Sequence, residues 1–246
     1  MGYTNSPLVS YTKISPNKTS PRNHKIDTIT IHCVVGQCSV ETLGEIFAPT
    51  SRQASSNYGI GFDGRIGMYV EEKDRSWCSS NAANDHRAIT IEVASDTTHP
   101  YAVNDKAYAA LLDLVTDICK RNGIKKLVWS TDKNQRVNHL NGCNMTVHRD
   151  YANKSCPGDY LYNRHGEIAA EVNRRLNAEA TPETPKVLYR VQTGAFSVKS
   201  NADALAAKLK AKGFDAYMVK VGNLYKVQVG AFSVKSNADA MMKKLK

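Results

Sequence analysis

No apolar run in this chain is long enough to cross a bilayer, so no membrane-embedded segment is expected. The opening residues, Met1-Gly2-Tyr3-Thr4-Asn5-Ser6-Pro7, lack a basic stretch followed by an apolar one, the pattern of a secretory signal. The six cysteines (Cys33, Cys38, Cys78, Cys119, Cys143 and Cys156) include no CxxC pair. A chain of 246 residues does not need stapling, so free thiols in a reducing compartment are expected rather than a disulfide framework. Acidic residues are scarce at one end. Residues 187–246 hold 11 Lys/Arg and 3 Asp/Glu, whereas residues 1–186 hold 22 and 20, so most of the net charge of +10 sits in the tail. A basic tail suits an anionic partner: nucleic acid, an acidic lipid surface or an anionic wall polymer. Few aromatics lie there beyond Tyr189, Phe196, Tyr217, Tyr225 and Phe232, and no RNA-binding motif is present, so nucleic acid is not the expected partner.

What is present divides the chain. Glu179-Ala180-Thr181-Pro182-Glu183-Thr184-Pro185-Lys186 is polar, holds two prolines and has no periodicity, so a linker is expected over 179–186. Domains are expected over 1–178 and 187–246. Beyond the linker, Val191-Gln192-Thr193-Gly194-Ala195-Phe196-Ser197-Val198-Lys199-Ser200-Asn201-Ala202-Asp203-Ala204 returns, nearly unchanged, 36 residues later as residues 227–240. Each copy reads as a strand, a Ser-Asn cap and an Ala/Leu/Lys helix. Between the copies, Phe214 to Val221 alternates like a strand, and Gly222-Asn223 turns it into the next. The order is β-α-β-β-α, with a closing strand expected after Lys246.

In the larger part, Asn104 or Asp105 caps a helix that Asn122-Gly123 ends. A second helix runs from Asp159 to Asn177, with Leu161, Ile168, Val172 and Leu176 on one face. Strands are expected at 27–33, 58–62, 88–94, 127–130 and 145–148. The fold class is α/β, a mixed central sheet flanked by helices, plus the small α+β repeat domain.

Three strands share a period-two signature. Thr28, Thr30 and His32 point to one face. Thr90 and Glu92 share a face in Ile89-Thr90-Ile91-Glu92-Val93, as do Thr146 and His148 in Met145-Thr146-Val147-His148. If the strands lie side by side, His32, Glu92 and His148 converge. Downstream, His148-Arg149-Asp150-Tyr151-Ala152-Asn153-Lys154-Ser155-Cys156-Pro157-Gly158 puts a histidine and a cysteine eight positions apart, with a lysine two before the cysteine. His32, His148 and Cys156 offer three protein ligands to Zn²⁺ and leave an open position, the pattern of a catalytic zinc. Glu92 is then a candidate general base. Lys154 and Tyr58 are candidate stabilisers of an oxyanion. Together they describe metal-assisted hydrolysis of an amide. Trp77 reads either as a core aromatic or as a sugar platform, and is a candidate for substrate binding. His24, His86, His99, His139 and His165 read as structural.

With these residues in view, the chain resembles the zinc-dependent N-acetylmuramoyl-L-alanine amidases of the type 2 family, among them phage lysozyme-like amidases, bacterial autolysins and peptidoglycan recognition proteins. The matching stretches are TITIHCVVG, NYGIGFDGRI, RSW followed by ITIEVAS, and HRDYANKSCPGDY, which span most of residues 20–176. The resemblance is greatest to clostridial and bacillus endolysins and autolysins. It implies His32, His148 and Cys156 as zinc ligands, Glu92 as general base, and Tyr58 and Lys154 as transition-state stabilisers. It implies cleavage between the muramic acid lactyl group and L-alanine in peptidoglycan. One departure stands out: members often carry Trp-His-Ala-Gly where this chain has Trp77-Cys78-Ser79-Ser80. VQTGAF and VQVGAF make the tail resemble the SPOR domain, which implies binding to glycan strands. Peptidoglycan is thus the expected partner of both parts, reached after release by a holin or by lysis, with no nucleic-acid or membrane partner. The alternative is a non-catalytic peptidoglycan-binding protein. Recognition-protein relatives of that kind lack the cysteine ligand, and Cys156 speaks against it.

Overall fold

A computed structural model describes residues 2–180, 189–232 and 235–245, and these fall into two compact units, Met1–Ala180 and Thr181–Lys246. In the first unit the strands are β1 (Tyr11–Thr12), β2 (Lys18–Thr19), β3 (Thr28–Cys33), β4 (Tyr58–Ile60), β5 (Ile66–Met68), β6 (Arg75–Ser76), β7 (Ala88–Val93) and β8 (Met145–Thr146). Its helices are α1 (Val40–Phe47), α2 (Ala82–Arg87), α3 (Asp105–Arg121), α4 (Lys133–Val137) and α5 (Gly158–Ala180).

Six strands form one mixed sheet in the order β1-β5-β4-β7-β3-β8; β2 and β6 make a separate antiparallel pair. The centre is parallel: β3 pairs with β7 and β8, and β4 with β7, while β5 runs antiparallel to β4. Parallel strands need both faces covered, and every residue of β3 is buried. On one face Ile29, Ile31, Ile89 and Ile91 are sealed against Leu111, Leu114, Val115 and Ile118 of α3 and Leu161, Ile168 and Val172 of α5. Each such side chain contributes about 1.5–3 kcal/mol on burial.

The opposite face is polar but equally buried. Register pairs Thr30 with both Thr90 and Thr146. Thr30 Oγ1 lies 2.7 Å from Thr146 Oγ1, and Thr90 Oγ1 lies 2.7 Å from Ser76 Oγ. Asn84 of α2 donates to Thr30 Oγ1 and accepts from Thr146 Oγ1. Alternation therefore separates two kinds of interior, one dispersive and one hydrogen-bonded, because a buried hydroxyl without a partner costs about 1–3 kcal/mol.

α3 carries the expected cap: Asn104 accepts from the Ala107 amide, and Asn122 follows Arg121. In this unit and the segment after it, three expectations are corrected. Residues 127–130 do not form a strand. Asn173 of α5 bonds both the amide and the carbonyl of Leu127, and Asn144 takes the Val128 amide, so side chains satisfy a backbone that no strand reaches. The strand expected at 145–148 ends at Thr146, and His148–Asp150 form a 3₁₀ turn. Of the linker expected over 179–186, Glu179 and Ala180 end α5, and 181–186 lie outside the described residues.

The second unit comprises β9 (Tyr189–Phe196), α6 (Lys199–Ala211), β10 (Ala216–Val221), β11 (Leu224–Phe232) and α7 (Lys235–Lys244), in the order read from the repeat. Its sheet, β10-β11-β9, is antiparallel throughout. Ala202, Ala216, Val227 and Val229 form its core, with Phe196, Leu205, Phe214, Met218 and Met241 packed around them. The cap reading is corrected here. α6 starts at Lys199, so Ser200 and Asn201 sit in its first turn, and the residue before it, Val198, makes no side-chain cap.

Candidate metal centre and active site

The centre forms where β3 and β7 end. Their shared register sets His32 beside Glu92, on the face that also carries Thr30 and Thr90. β8 flanks β3 on the other side, and the chain leaving it reaches His148 two residues later. Such carboxyl ends are where open α/β sheets usually bind ligands. Cys156 arrives on the loop before α5. Gly158 takes φ +77° there, and a Cβ would meet the Tyr101 side chain at 2.8 Å, so the turn and its close approach both require glycine.

One donor atom each from His32, His148 and Cys156 lies within 4.8 Å of the others. Cys156 Sγ is 3.4 Å from His32 Nδ1, and the two imidazole centroids are 5.2 Å apart. Tetrahedral zinc with sulfur at about 2.3 Å and nitrogen at about 2.0–2.1 Å would hold such a pair about 3.5 Å apart. His32 Nε2 and Glu92 Oε2 are sealed from solvent with no hydrogen-bond partner. The donor set, with the unpartnered Glu92 oxygen beside it, fits a divalent ion held by His32 through Nδ1.

Electrostatics agree with the donor roles. Burial, with His148 and His165 nearby, drives His32 down to about 3 and keeps the imidazole neutral. Burial and then Lys154 lower His148 as well. The Cys156 thiol is held well above its ordinary value by a hydrogen bond with Cys33, by burial and by Glu92. A dication beside it reverses that preference and favours the thiolate. Burial lifts Glu92 to about 7, against the opposing pull of Arg52 and a hydrogen bond from Cys78.

A second layer fixes the first. Arg136 and Asp150 form a buried bidentate pair at 2.6 and 2.8 Å, and Arg136 also donates to the Ser130 carbonyl. Arg149 donates to the Ser155 carbonyl and to Asp159, and its amide bonds the Cys156 carbonyl. Neighbours of His148 in sequence thus clamp the turn that carries it and the loop that carries Cys156. Ser80 Oγ lies 3.0 Å from His148 Nε2.

Lys154 is exposed and lines two cavities that meet at the centre, of about 540 and 340 Å³. Trp77 lines the larger, its Nε1 bonded to Thr19 Oγ1 at 2.9 Å. Tyr58 is not brought to the centre. Its register partner in β7 is Ile91, so it points to the apolar face, fully buried, and its hydroxyl donates to Glu72 Oε1 and accepts from the Ser6 amide. That removes it as an oxyanion donor.

Residues that sequence reasoning did not place at the site also line it. Cys78 Sγ sits 3.9 Å from Glu92 Oε1, and Cys78, Glu92 and His32 make a second group with donor atoms within 4.8 Å. The only signal for Cys78 was its departure from the family pattern. Arg52 faces both cavities, and as one basic residue in a polar loop it carried no signal.

Residues 22–159 match a family model described as N-acetylmuramoyl-L-alanine amidase, and residues 185–246 match the SPOR domain. A sporulation-specific N-acetylmuramoyl-L-alanine amidase of Bacillus subtilis (strain 168) is 59% identical over 32 residues, 13% of this chain and 12% of that protein. The N-acetylmuramoyl-L-alanine amidase CwlM of Bacillus licheniformis is 56% identical over 52 residues, 21% of this chain and 18% of that protein. The chain thus spans less than a fifth of the length of either relative. Among solved structures, the endolysin amidase LysCS from Clostridium intestinale URNW aligns over 70% of this chain and 99% of its own, at 19% identity and a TM-score of 0.49.

Proposed function

The chain belongs to the N-acetylmuramoyl-L-alanine amidase family, and from that premise we propose that it hydrolyses the amide between N-acetylmuramic acid and L-alanine in peptidoglycan, as a zinc enzyme acting as an endolysin or autolysin. His32, His148 and Cys156 would hold the ion. When bound, it supplies Lewis-acid chemistry, polarising the scissile carbonyl and acidifying the attacking water.

The remaining work falls to the chain. Glu92 accepts the proton of the attacking water and delivers it to the leaving amine of L-alanine; burial raises this carboxyl above its ordinary range, which favours proton uptake. Lys154 faces the cavity as an exposed ammonium and balances charge developing on the carbonyl oxygen. Trp77 offers an aromatic surface on the larger cavity to the sugar. The basic SPOR domain holds the enzyme on glycan strands.

The observation that carries this reading is the convergence of two imidazoles and a thiol beside a sealed, unpartnered carboxylate oxygen. Mass spectrometry of digested walls tests it. The expected products are free muramic acid lactyl groups and new L-alanine amino termini, lost after chelation and restored by zinc. Cleavage at another bond, or an undiminished rate after the metal is stripped, sinks it.

A further inference from the structure

The two cavities at the centre share Arg52, His148 and Lys154, and the larger adds Arg75. Arg52, Arg75 and Lys154 therefore face one space of about 540 Å³, and none forms an ion pair among the described residues. The one carboxylate lining it, Asp85, is already engaged, accepting from the amides of Cys78 and Ser79. Arg75 is held in place: Nη2 donates to Thr19 Oγ1 at 2.6 Å, its guanidinium carbon lies 5.9 Å from the centre of the Trp77 ring, and its Nε is buried without a partner. Like charges lining one cavity repel, and an anion placed among them relieves the repulsion. Guanidinium groups favour planar carboxylates, which they bind bidentately.

We propose that this cavity takes a free carboxylate on the peptide of the substrate, with Arg75 and Arg52 as specificity-determining residues that distinguish acid stems from amidated ones. The inference rests on the amidase reading. In such a substrate the lactyl carboxyl is consumed in the scissile amide, so the free carboxylates lie on the peptide. Replacing the carboxylate by a carboxamide removes a charge-assisted hydrogen bond, an effect on the order of tenfold or more.

The test uses muramoyl tetrapeptides, one with every carboxylate free and others amidated at one carboxylate in turn. Binding is measured calorimetrically on the Glu92→Gln protein, and hydrolysis on the wild type. One amidation is expected to weaken binding by about tenfold or more, and Arg52→Gln or Arg75→Gln placed in that background to shrink the ratio to about twofold. Arg75 also ties β6 to β2 through Thr19, so Arg52→Gln, at an exposed residue ending a single 3₁₀ turn, is the variant whose folding is not at stake. Equal binding of all forms, or an unchanged ratio in both variants, overturns the carboxylate site. A retained ratio with no hydrolysis by the wild type overturns the amidase reading instead and leaves the site standing.

Discussion

At the residue scale, one candidate ligand, His32, and the candidate base, Glu92, were legible because alternation is a geometric rule, whereas His148 and Cys156 were legible from their spacing. Thr-x-His in β3 and Thr-x-Glu in β7 each fix a face, and pairing in register then places His32 beside Glu92. Tyr58 faces away from the centre because its side is set by its pairing with Ile91 of β7, and that long-range fact is not written in its neighbours. Two variants separate the roles. Cys156→Ser is expected to lose zinc on dialysis and hydrolysis with it, a loss beyond the roughly 10–100-fold typical of outer-shell partners; metal analysis beside an activity assay checks this, and a metal-replete, inactive protein would contradict it. Glu92→Gln is expected to retain zinc and lose about 10²–10⁴ in turnover. Glu92 works as a base only when ionised, so wild-type kcat/KM should fall about tenfold per unit as pH drops below its pKa, which bound zinc draws down from the metal-free value of about 7. Stability moves the other way. With a folded pKa above the usual 4.5, the metal-free native state binds more protons than the unfolded chain, so stability declines as pH rises from 4.5 to about 7. Metal-free Glu92→Gln should therefore exceed metal-free wild type at pH 8, by at most about 3 kcal/mol, and match it below pH 4.5. Denaturant titrations at the two pH values would reveal an absent or inverted difference.

At the element scale, long periodic segments such as α3 and α5 were readable, and elements held by single side chains were not. Leu127 and Val128 have the apolar look of a strand, yet Asn173 and Asn144 supply their hydrogen bonds. The turn at His148 is likewise set by Asp150 reaching Arg136, fourteen residues back. Both partners of that pair are almost wholly buried, so cutting it leaves an uncompensated charge. Asp150→Asn is expected to cost about 3–5 kcal/mol and, by loosening the turn that carries His148, to weaken zinc binding about 10–100-fold. Urea unfolding and competition with a chromophoric chelator measure the two effects. Loss of stability with zinc affinity unchanged would mean that the pair supports the fold without orienting the ligand.

At the scale of the whole molecule, the 36-residue repeat and the charge imbalance revealed two parts before any contact was known, because each is a property of a long stretch and not of one side chain. Among the described residues, the core cluster around Val227 and Val229 draws on residues beyond Ala180, and those around Ile31 and Ile91 and around Leu43 and Tyr69 on residues before it. Division of labour then follows from charge. With 11 basic and 3 acidic residues, 187–246 is expected, on the proposed function, to carry the attraction to an anionic wall, and the nearly neutral residues 1–186 to contribute little of it. Removing 181–246 should therefore lower pelleting with purified cell walls by about tenfold or more, while kcat/KM on short muropeptides stays within about twofold. Raising salt from 0.05 to 0.5 M should weaken pelleting of the full chain and leave the shortened one little changed, since exposed charges are screened over about 10 Å or less in that range. Sedimentation assays on both proteins, run beside the muropeptide assay, decide it: equal pelleting would take wall attachment away from the C-terminal unit and return it to the catalytic cavity.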